Sequence, residues 1–368
     1  MITRRQFVCA TGATIAAPLA VHGCSSGARD DSYDQAVERT WRGAERPVSD
    51  RPSLQRELVR YATLAPSSHN TQCWKFALQE RWISIVPDYS RRCPAVDPDD
   101  HHLFVSLGCA AENLIQAARA HALMGEATFE GAPTEAVHIA LEPTKALASR
   151  LFAAIPQRQC TRSEFDGRPV SNEDLKLLEQ AGTGDGMALL LLTDKVAMEK
   201  ALEYVVQGNT TQMNDPAFVE ELKAWIRFGD AEAVRTGDGL FSRSTGNPSV
   251  PRWLGSLLFN ALFTTKGEND KYAKRIRSSA GIAVFVSEGN NKAHWVEAGR
   301  CYERFALQAT ALGIRNAFLN QPVEVARLRP QFASHLGVGN RRPDLVVRFG
   351  RGPEMPRSLR RPVEAVIV

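Results

Sequence analysis

The chain has 368 residues, of which 43% are hydrophobic and 23% are charged, which is the composition of an ordinary globular protein. The formal net charge of +4 is too small an excess to indicate a nucleic-acid partner, although basic residues gathered at one site could still bind a phosphate. After the N-terminal segment, the sequence contains no apolar stretch long enough to predict a membrane span, and the length allows two domains or one large α/β body.

The first 24 residues predict an export signal. MITRRQFVCATGATIAAPLAVHGC contains the pair Arg4-Arg5, then a modest apolar run and small residues, as in twin-arginine signals. Residues 21–24 also resemble a lipoprotein cleavage box, in which Cys24 would carry a lipid tether to the membrane. The alternative is a chance arginine pair on an amphipathic N-terminus. We predict export to the periplasm or cell envelope, with residues 25–45 as a polar tether that includes a short helix.

After residue 45 the sequence repeats itself, which predicts two halves, 46–150 and 151–368. RPVSDRPSLQREL begins at Arg46, and RPVSNEDLKLLEQAG begins at Arg168. In the second copy Ser171 predicts a helix N-cap and Gly182 the helix end. Two longer segments, GCAAENLIQAARAHAL from Gly108 and GRCYERFALQATALGI from Gly299, predict helices with small faces that suit close packing.

Apolar, β-branched runs between these helices predict strands, and the alternation indicates an α+β body. The predicted strands are Lys75–Leu78, Trp82–Pro87, Val137–Leu141, Leu189–Thr193, Gly281–Ser287, Arg315–Leu319 and Leu345–Phe349. Met198–Gly229 predicts one or two helices. The insert at about 230–262 mixes Gly, Ser, Asn and Pro with aromatic residues and predicts a long irregular loop, either a lid over a binding site or a disordered linker.

Three polar segments could bind a ligand. In APSSHNTQCWKF, from Ala65 to Phe76, the side chains of Ser67, Ser68, Asn70 and Gln72 offer both donors and acceptors to the edge of a heteroaromatic ring; the alternative is a loop whose side chains bond only their own backbone. RQCTRSEFDGR contains Arg158 and Arg162, and PRSLRRPVEAV contains Arg357, Arg360 and Arg361. Guanidinium groups from two segments suit a dianionic phosphate, whereas a single arginine group more often forms a solvated face.

Other types of chemistry have no signature. None of the seven cysteines belongs to a CxxC or Cys/His metal spacing, so no metal site is predicted, and a disulfide is possible without being predicted. Neither a Ser/His/Asp pattern nor a GxGxxG fingerprint is present. No catalytic side chain is assigned, and His69 is interpreted as a spacer in its loop.

Four of these segments resemble motifs of the FMN-dependent nitroreductases. APSSHNTQCW is similar to their P-S-x-x-N-x-Q-P-W loop, and RQCTRSEFDGRPV to their arginine-rich opening segment; ALGIRNAFLNQPVE and the closing RRPVEAV also match in position. Because the loop precedes the arginine segment, the order resembles the Acg-like branch, in which one chain mimics the usual dimer. The resemblance implies a nitroreductase-like fold of two half-domains, with antiparallel-rich sheets flanked by helices, in a monomer that acts as a pseudo-dimer.

The resemblance also implies one FMN per chain, bound by residues of both halves. The loop would touch the isoalloxazine edge, the two arginine segments would hold the phosphate and ribityl groups, and backbone groups of residues 320–321 would approach flavin N5 and O4. The residues so implied are Ser67, Ser68, Asn70, Arg158, Gln159, Cys160, Arg162, Asn320, Gln321, Arg360 and Arg361. Cys73 replaces the usual Pro, and Gln159 and Cys160 replace a frequent basic residue and a frequent hydroxyl. The mirror-image site lacks both elements and should bind no flavin.

By the same resemblance the expected activity is a flavin-dependent oxidoreduction. FMN would take hydride at N5 from a reduced donor, NAD(P)H or another, and reduce a small aromatic acceptor such as a nitroaromatic or quinone. One alternative is a flavin-binding or flavin-sequestering protein in which the 230–262 insert covers the ring and permits little turnover. Another is an envelope-anchored interaction protein that uses the fold without flavin.

Overall fold

The structure is a computed structural model that describes residues 32–43 and 50–368. The predicted export signal, including Cys24, lies outside the described residues, as does Arg46 at the start of the first repeat. Among the residues that are described, no helix combines the length and the apolar character needed to cross a membrane.

The described chain alternates helices with short strands. The helices are α1 (Tyr33–Thr40), α2 (Arg51–Thr63), α3 (His101–Ala120), α4 (Arg150–Ala154), α5 (Asn172–Gly182), α6 (Lys195–Met213), α7 (Pro216–Trp225), α8 (Asp230–Thr236), α9 (Arg252–Leu262), α10 (Thr265–Arg277), α11 (Lys292–Ala311), α12 (Gln321–Glu324) and α13 (Arg329–His335). The strands are β1 (Trp74–Leu78), β2 (Trp82–Pro87), β3 (Leu123–Glu130), β4 (Ala136–Pro143), β5 (Met187–Leu192), β6 (Ile226–Arg227), β7 (Leu240–Phe241), β8 (Gly281–Ser287), β9 (Arg315–Phe318) and β10 (Arg342–Gly350).

Two four-stranded antiparallel sheets form the centre of the fold. Their strand orders are β1-β2-β4-β3 and β5-β8-β10-β9, so the predicted α+β class with antiparallel sheets is confirmed. Every residue of β8 and β10 is buried, as expected of strands covered on both faces. Each sheet takes its strands from one of the two predicted halves, while the division into half-domains itself stays a prediction.

Several local predictions can be compared with the structure directly. The Ser171 side chain accepts a hydrogen bond from the Asp174 backbone N–H and caps α5, which ends at Gly182 as predicted. The strand β3 was not predicted, because its more buried face carries Gly125 and Ala127, which have low strand propensity, while Met124 and Glu126 on the other face are exposed. The prediction of a long irregular loop in the insert is wrong, since this segment contains the helices α8 and α9.

The two 20-residue helices α3 and α11 cross in direct backbone contact. A Cβ atom on Gly108 would lie 1.9 Å from the Val296 carbonyl oxygen, and one on Gly299 would lie 1.9 Å from the Val105 carbonyl oxygen. Glycine is therefore required at both positions, because any larger residue would force the helix axes apart. The small faces predicted from the sequence are used in this crossing.

Replacing either crossing glycine should destabilise the protein. In Gly108→Ala the new methyl group meets a backbone carbonyl that cannot rotate away, so we expect the free energy of unfolding to fall by about 3 kcal/mol, near the upper end for overpacked cores. The measurement is urea unfolding followed by circular dichroism. Gly131→Ala is the matched control, since nothing lies within 4 Å of a Cβ there. Equal unfolding midpoints for the two variants would contradict the close crossing.

Candidate functional site

A single cavity of about 450 Å³ brings together residues from distant parts of the sequence. Its volume lies within the range of roughly 300–1,000 Å³ that small-molecule sites occupy. The wall is formed by the loop at 66–69, the first turns of α3, residues 160 and 162, the segment between β5 and β8, and residues 318–324. The predicted site residues that line it are Ser67, Ser68, Cys160, Arg162, Asn320 and Gln321.

The loop at residues 66–69, called the serine loop below, presents hydroxyl groups to the cavity. Ser67 Oγ accepts a hydrogen bond from the Gln72 backbone N–H at 2.9 Å, so its own proton remains available for a ligand. Asn70 has a different role, because its amide nitrogen donates to the carbonyl oxygens of Gly239 and Leu359 at 3.0 and 3.1 Å. Asn70 does not line the cavity and instead fixes the loop to the insert and to the C-terminal segment.

Two arginines give the cavity a positive charge. Arg162 lines the wall, and within the described part of the chain its guanidinium has no hydrogen-bond or ion-pair partner. Arg275, from α10, also lines the wall and donates one long hydrogen bond, 3.5 Å, to the Thr245 carbonyl oxygen. Burial lowers the pKa of Arg275, and the charge of Arg162 adds to this effect. The two cations are close enough to repel each other and have no acidic partner among the described residues, so an anion here would be stabilised.

Arg158 and Arg360 do not line the cavity, although both were predicted to bind phosphate. Arg158 is buried, with Nε 3.1 Å from Glu303 Oε1 and Nη2 donating to the Leu64 carbonyl oxygen at 2.7 Å. The Arg360 guanidinium donates to the carbonyl oxygens of residues 63, 64 and 65 at 2.7, 3.1 and 3.1 Å. Both side chains therefore bind the end of α2, next to the serine loop. Their predicted contact with a phosphate stays a prediction.

Gln159 and Arg361 are also engaged within the chain. The Gln159 side chain accepts from the Met355 backbone N–H at 2.8 Å and donates to its carbonyl oxygen at 3.1 Å. The backbone N–H of Arg361 donates to Gln72 Oε1 at 2.8 Å, and its guanidinium donates to the Ala365 carbonyl oxygen at 2.7 Å. The C-terminal arginine segment thus meets the loop of the first half through the hydrogen bond from the Arg361 backbone N–H to the Gln72 side chain.

Asn320 and Gln321 form a polar part of the cavity wall. Asn320 Oδ1 accepts from the Val346 backbone N–H at 3.0 Å, which orients its amide nitrogen towards His102 Nε2 at 3.1 Å. Gln321 Nε2 donates to the Tyr272 hydroxyl at 2.5 Å. Gln321 Oε1 is buried and has no partner among the described residues. An unpaired buried acceptor is costly unless a ligand donates to it.

The cavity also contains titratable residues that the sequence analysis did not assign to the site. His102 Nδ1 lies 3.6 Å from Asp97 Oδ1, and this carboxylate raises the pKa of His102 against the opposing effect of burial. Glu324 accepts from Gln212 Nε2 at 2.6 Å, and burial raises its pKa. Burial, with the charges of Arg162 and His102, lowers the pKa of His69 to about 4. The run Asp97–His102 is rich in acids and histidines, a signal that could have pointed to part of this group.

Two helices between β5 and β8 supply the apolar wall. Phe218 and Leu222 of α7 line the cavity together with Leu258 and Phe259 of α9. Phe259 stacks on Phe263, with ring centroids 4.4 Å apart and an interplanar angle of 20°. Such a wall suits a flat aromatic ligand. The insert at 230–262 also contains the aromatic residues Phe241 and Trp253, but neither lines the cavity: Phe241 is buried and Trp253 is 71% exposed.

Comparisons with known proteins give two curated relatives from Mycobacterium tuberculosis. "Putative NAD(P)H nitroreductase Rv3131" is 23% identical over 324 residues, which cover 85% of this chain and 90% of the relative. "Putative NAD(P)H nitroreductase acg" is 22% identical over 318 residues, covering 84% and 93%. No protein-family model matches the chain.

Solved structures with weaker similarity also come from nitroreductases. One is the FMN-dependent nitroreductase NfnB from Mycobacterium smegmatis in complex with NADPH, 14% identical, with 59% of this chain and 91% of that chain covered at a TM-score of 0.37. Another is a nitroreductase with bound FMN from Bacteroides fragilis, also 14% identical, with coverages of 56% and 89% and a TM-score of 0.34.

The contacts of Arg360 predict a structural role that can be tested. Arg360→Met would leave three carbonyl oxygens near the end of α2 without their donor, and each unpaired buried group costs about 1–3 kcal/mol. We expect the free energy of unfolding to fall by about 3 kcal/mol or more, measured by chemical denaturation. Arg168→Met is the control, because Arg168 is exposed. A variant that keeps its stability and loses only ligand affinity would make Arg360 a ligand contact instead.

Proposed function

We propose that the chain is an FMN-dependent oxidoreductase of the nitroreductase type, with one flavin in the cavity described above. The observation that carries the proposal is the convergence of Ser67 and Ser68, Arg162 and Gln321 on one cavity. These residues come from three segments that were matched independently to the motifs of FMN-dependent nitroreductases. The proposal has further support from two relatives named as NAD(P)H nitroreductases, which align with more than four fifths of the chain.

The residues around the cavity fit the chemical groups of FMN. A phosphate would neutralise Arg162 and Arg275, which have no acidic partner in the described chain. Gln321 Oε1, the buried acceptor without a donor, suits an N–H or hydroxyl of the flavin. The hydroxyls of Ser67 and Ser68 suit the polar edge of the ring, and the aromatic side chains of α9 suit its face.

Bound FMN would supply the redox chemistry, taking up hydride and passing electrons to an acceptor. The protein would bind the phosphate, orient the ring and exclude water from it. We propose a nicotinamide as the donor, in accord with the names of the relatives, and a small nitroaromatic or quinone as the acceptor.

A second candidate function is flavin binding with little turnover. It is favoured by α9, whose residues Leu258, Phe259 and Leu262 form part of the cavity wall and would then cover the flavin. The two functions differ in one measurable property: whether a substrate reaches the ring.

The test uses the purified full chain, reconstituted with FMN and freed of excess flavin. We expect a yellow protein with one FMN per chain, whose flavin is bleached by NAD(P)H or dithionite. Reduced flavin in the protein should be reoxidised by a nitroaromatic or quinone faster than free reduced FMN is. Slower reoxidation than that of free flavin would favour sequestration, and a colourless protein that ignores added FMN would overturn both candidates.

The two unpaired arginines should set the flavin affinity. Arg162→Ala and Arg275→Ala each remove a charged donor, worth about 1.5–3 kcal/mol, so we expect each to raise the FMN Kd by about 10- to 100-fold. The measurement is quenching of FMN fluorescence on titration with protein. Arg277→Ala is the matched control, because Arg277 is on the same helix, is exposed and pairs with Glu199. A Kd unchanged in both test variants would contradict the phosphate site.

We further propose that the chain is exported by the twin-arginine route and tethered through Cys24 at the cell envelope. That route carries folded proteins, which would allow FMN to be loaded before transport. Replacing Arg4 and Arg5 together by lysine should abolish export in a fractionation experiment, and Cys24→Ser should release the exported protein from the membrane fraction. Export of the double variant at the original level would contradict the signal.

A further inference from the structure

One side-chain cluster beside the cavity contains the ligand types of a transition-metal site. His69, Cys93 and Glu221 each place one ligand atom within 4.8 Å of the other two. They come from three different segments: the serine loop, the residues after β2, and helix α7. Cys93 is buried, and His69 and Glu221 are partly buried. The site described above does not use Cys93 or Glu221.

The distances suit a tetrahedral metal ion. His69 Nδ1 lies 3.4 Å from Cys93 Sγ. Zinc binds imidazole nitrogen at about 2.0–2.1 Å and thiolate sulfur at about 2.3 Å, so a tetrahedral angle puts these two ligand atoms roughly 3.5 Å apart. A cysteine, a histidine and a carboxylate form a ligand set typical of zinc rather than of magnesium or calcium. A thiolate and a carboxylate would also balance the two positive charges of the ion. This balance matters because the positive charge of Arg162 acts on His69 and would repel an uncompensated cation.

Two of the ligands are held in position by other contacts. The Glu221 carboxylate accepts hydrogen bonds from the backbone N–H groups of Ala95 and Val96 at 2.9 and 3.1 Å, which places it next to the Cys93 segment. His69 has a backbone φ of 48° and Asn70 one of 54°, a left-handed conformation that non-glycine residues rarely adopt. The Asn70 side chain fixes this turn. Such support from outer contacts is typical of metal sites, and strained backbone often marks a functional position.

A second candidate group, Asp97, His101 and His102, is already committed to other contacts. His101 Nε2 binds Asp344 Oδ1 at 2.9 Å, and His102 Nε2 lies 3.1 Å from the Asn320 amide nitrogen. Asp97 Oδ2 accepts from the Leu103 backbone N–H at 3.0 Å. A metal would have to break this network, whereas at Cys93 it would replace a single weak contact between thiol and imidazole.

We propose that His69, Cys93 and Glu221 form a zinc site at the cavity wall, with the fourth position open to water or to a ligand in the cavity. His69 itself lines the cavity, as do Val96 and Phe218 beside the other two ligands, so the open position would be reached from there. On binding, the Zn–S bond forms as the Cys93 thiol releases its proton to solvent, and no electron is transferred. The ion would join α7 to the serine loop and offer an oxygen-binding position next to the proposed flavin.

The test measures metal binding directly. The full chain is stripped with a chelator, then titrated with zinc, and the bound metal is counted by mass spectrometry; cobalt is used in parallel because a cobalt–thiolate bond gives a charge-transfer absorption band. We expect one zinc per chain and a cobalt–thiolate band. Cys93→Ala should abolish the band and weaken zinc binding by about 100-fold or more, and Glu221→Gln should weaken it by about 10-fold or more.

Cys301→Ala is the matched control, because Cys301 is a buried cysteine beside another glutamate, Glu297, and it should bind metal like the parent chain. Thermal unfolding without metal checks that each variant folds. A parent chain that takes up no zinc, or a Cys93→Ala variant that retains the cobalt–thiolate band, would overturn the proposal. FMN content is read separately from flavin absorbance, so that failure of the metal site is distinguished from failure of the flavin site.

Discussion

The contact between α3 and α11 is the constraint on which the rest of the structure depends. At this crossing, Gly108 faces the Val296 carbonyl and Gly299 faces the Val105 carbonyl, an approach that only glycine allows. The Cys109 thiol adds a hydrogen bond to the Gly299 carbonyl oxygen at 3.3 Å. Because α3 supplies cavity residues from its first turns while α11 packs against the second sheet, the crossing sets how residues from the two sequence halves meet. The crossing therefore fixes the α3 residues of the cavity wall relative to the second sheet.

The arginines next to this cavity form two groups. Some bind backbone carbonyl groups, and two others, Arg162 and Arg275, line the cavity. Arg158 and Arg348 are buried and Arg360 is partly buried, and each donates to backbone carbonyl groups: Arg348, for example, donates to the carbonyl oxygens of Thr161 and Ser163 at 2.9 and 2.7 Å. Burial lowers the pKa of both Arg348 and Arg360 to about 9. A buried cation is tolerated when its donors are satisfied, so Arg348 and Arg360 tie loops together through carbonyl groups, and Arg158 does so with an added ion pair to Glu303.

The sequence predicted the parts of the fold in which local pattern and tertiary burial agree. β8 and the cap of α5 follow from an apolar run and from Ser171, and both are present at the predicted positions. The edge strand β3 produced little signal because its inward face carries Gly125 and Ala127, which have low strand propensity. For the site, the loop and the Arg162 segment could be found as motifs, but Arg275 could not: it lies on a charged helix whose sequence offers no reason to prefer one basic residue. Which arginines bind carbonyl groups and which face the cavity depends on chain contacts far apart in sequence.

The charge of the cavity depends on which of its charged residues have partners within the protein. The acids in its wall are Glu268 and Glu324: Glu268 pairs with Lys271 at 2.7 Å, and Glu324 accepts from the neutral Gln212 amide while burial raises its pKa and so favours its neutral form. Arg162 and Arg275 have no such compensation in the described chain. The remaining charge of the cavity is therefore positive, although the whole chain carries only +4. A site built in this way attracts an anion because of its local, desolvated cations and not because of the overall charge of the protein. An aromatic ligand with an anionic group is complementary both to this charge and to the apolar wall formed by α7 and α9.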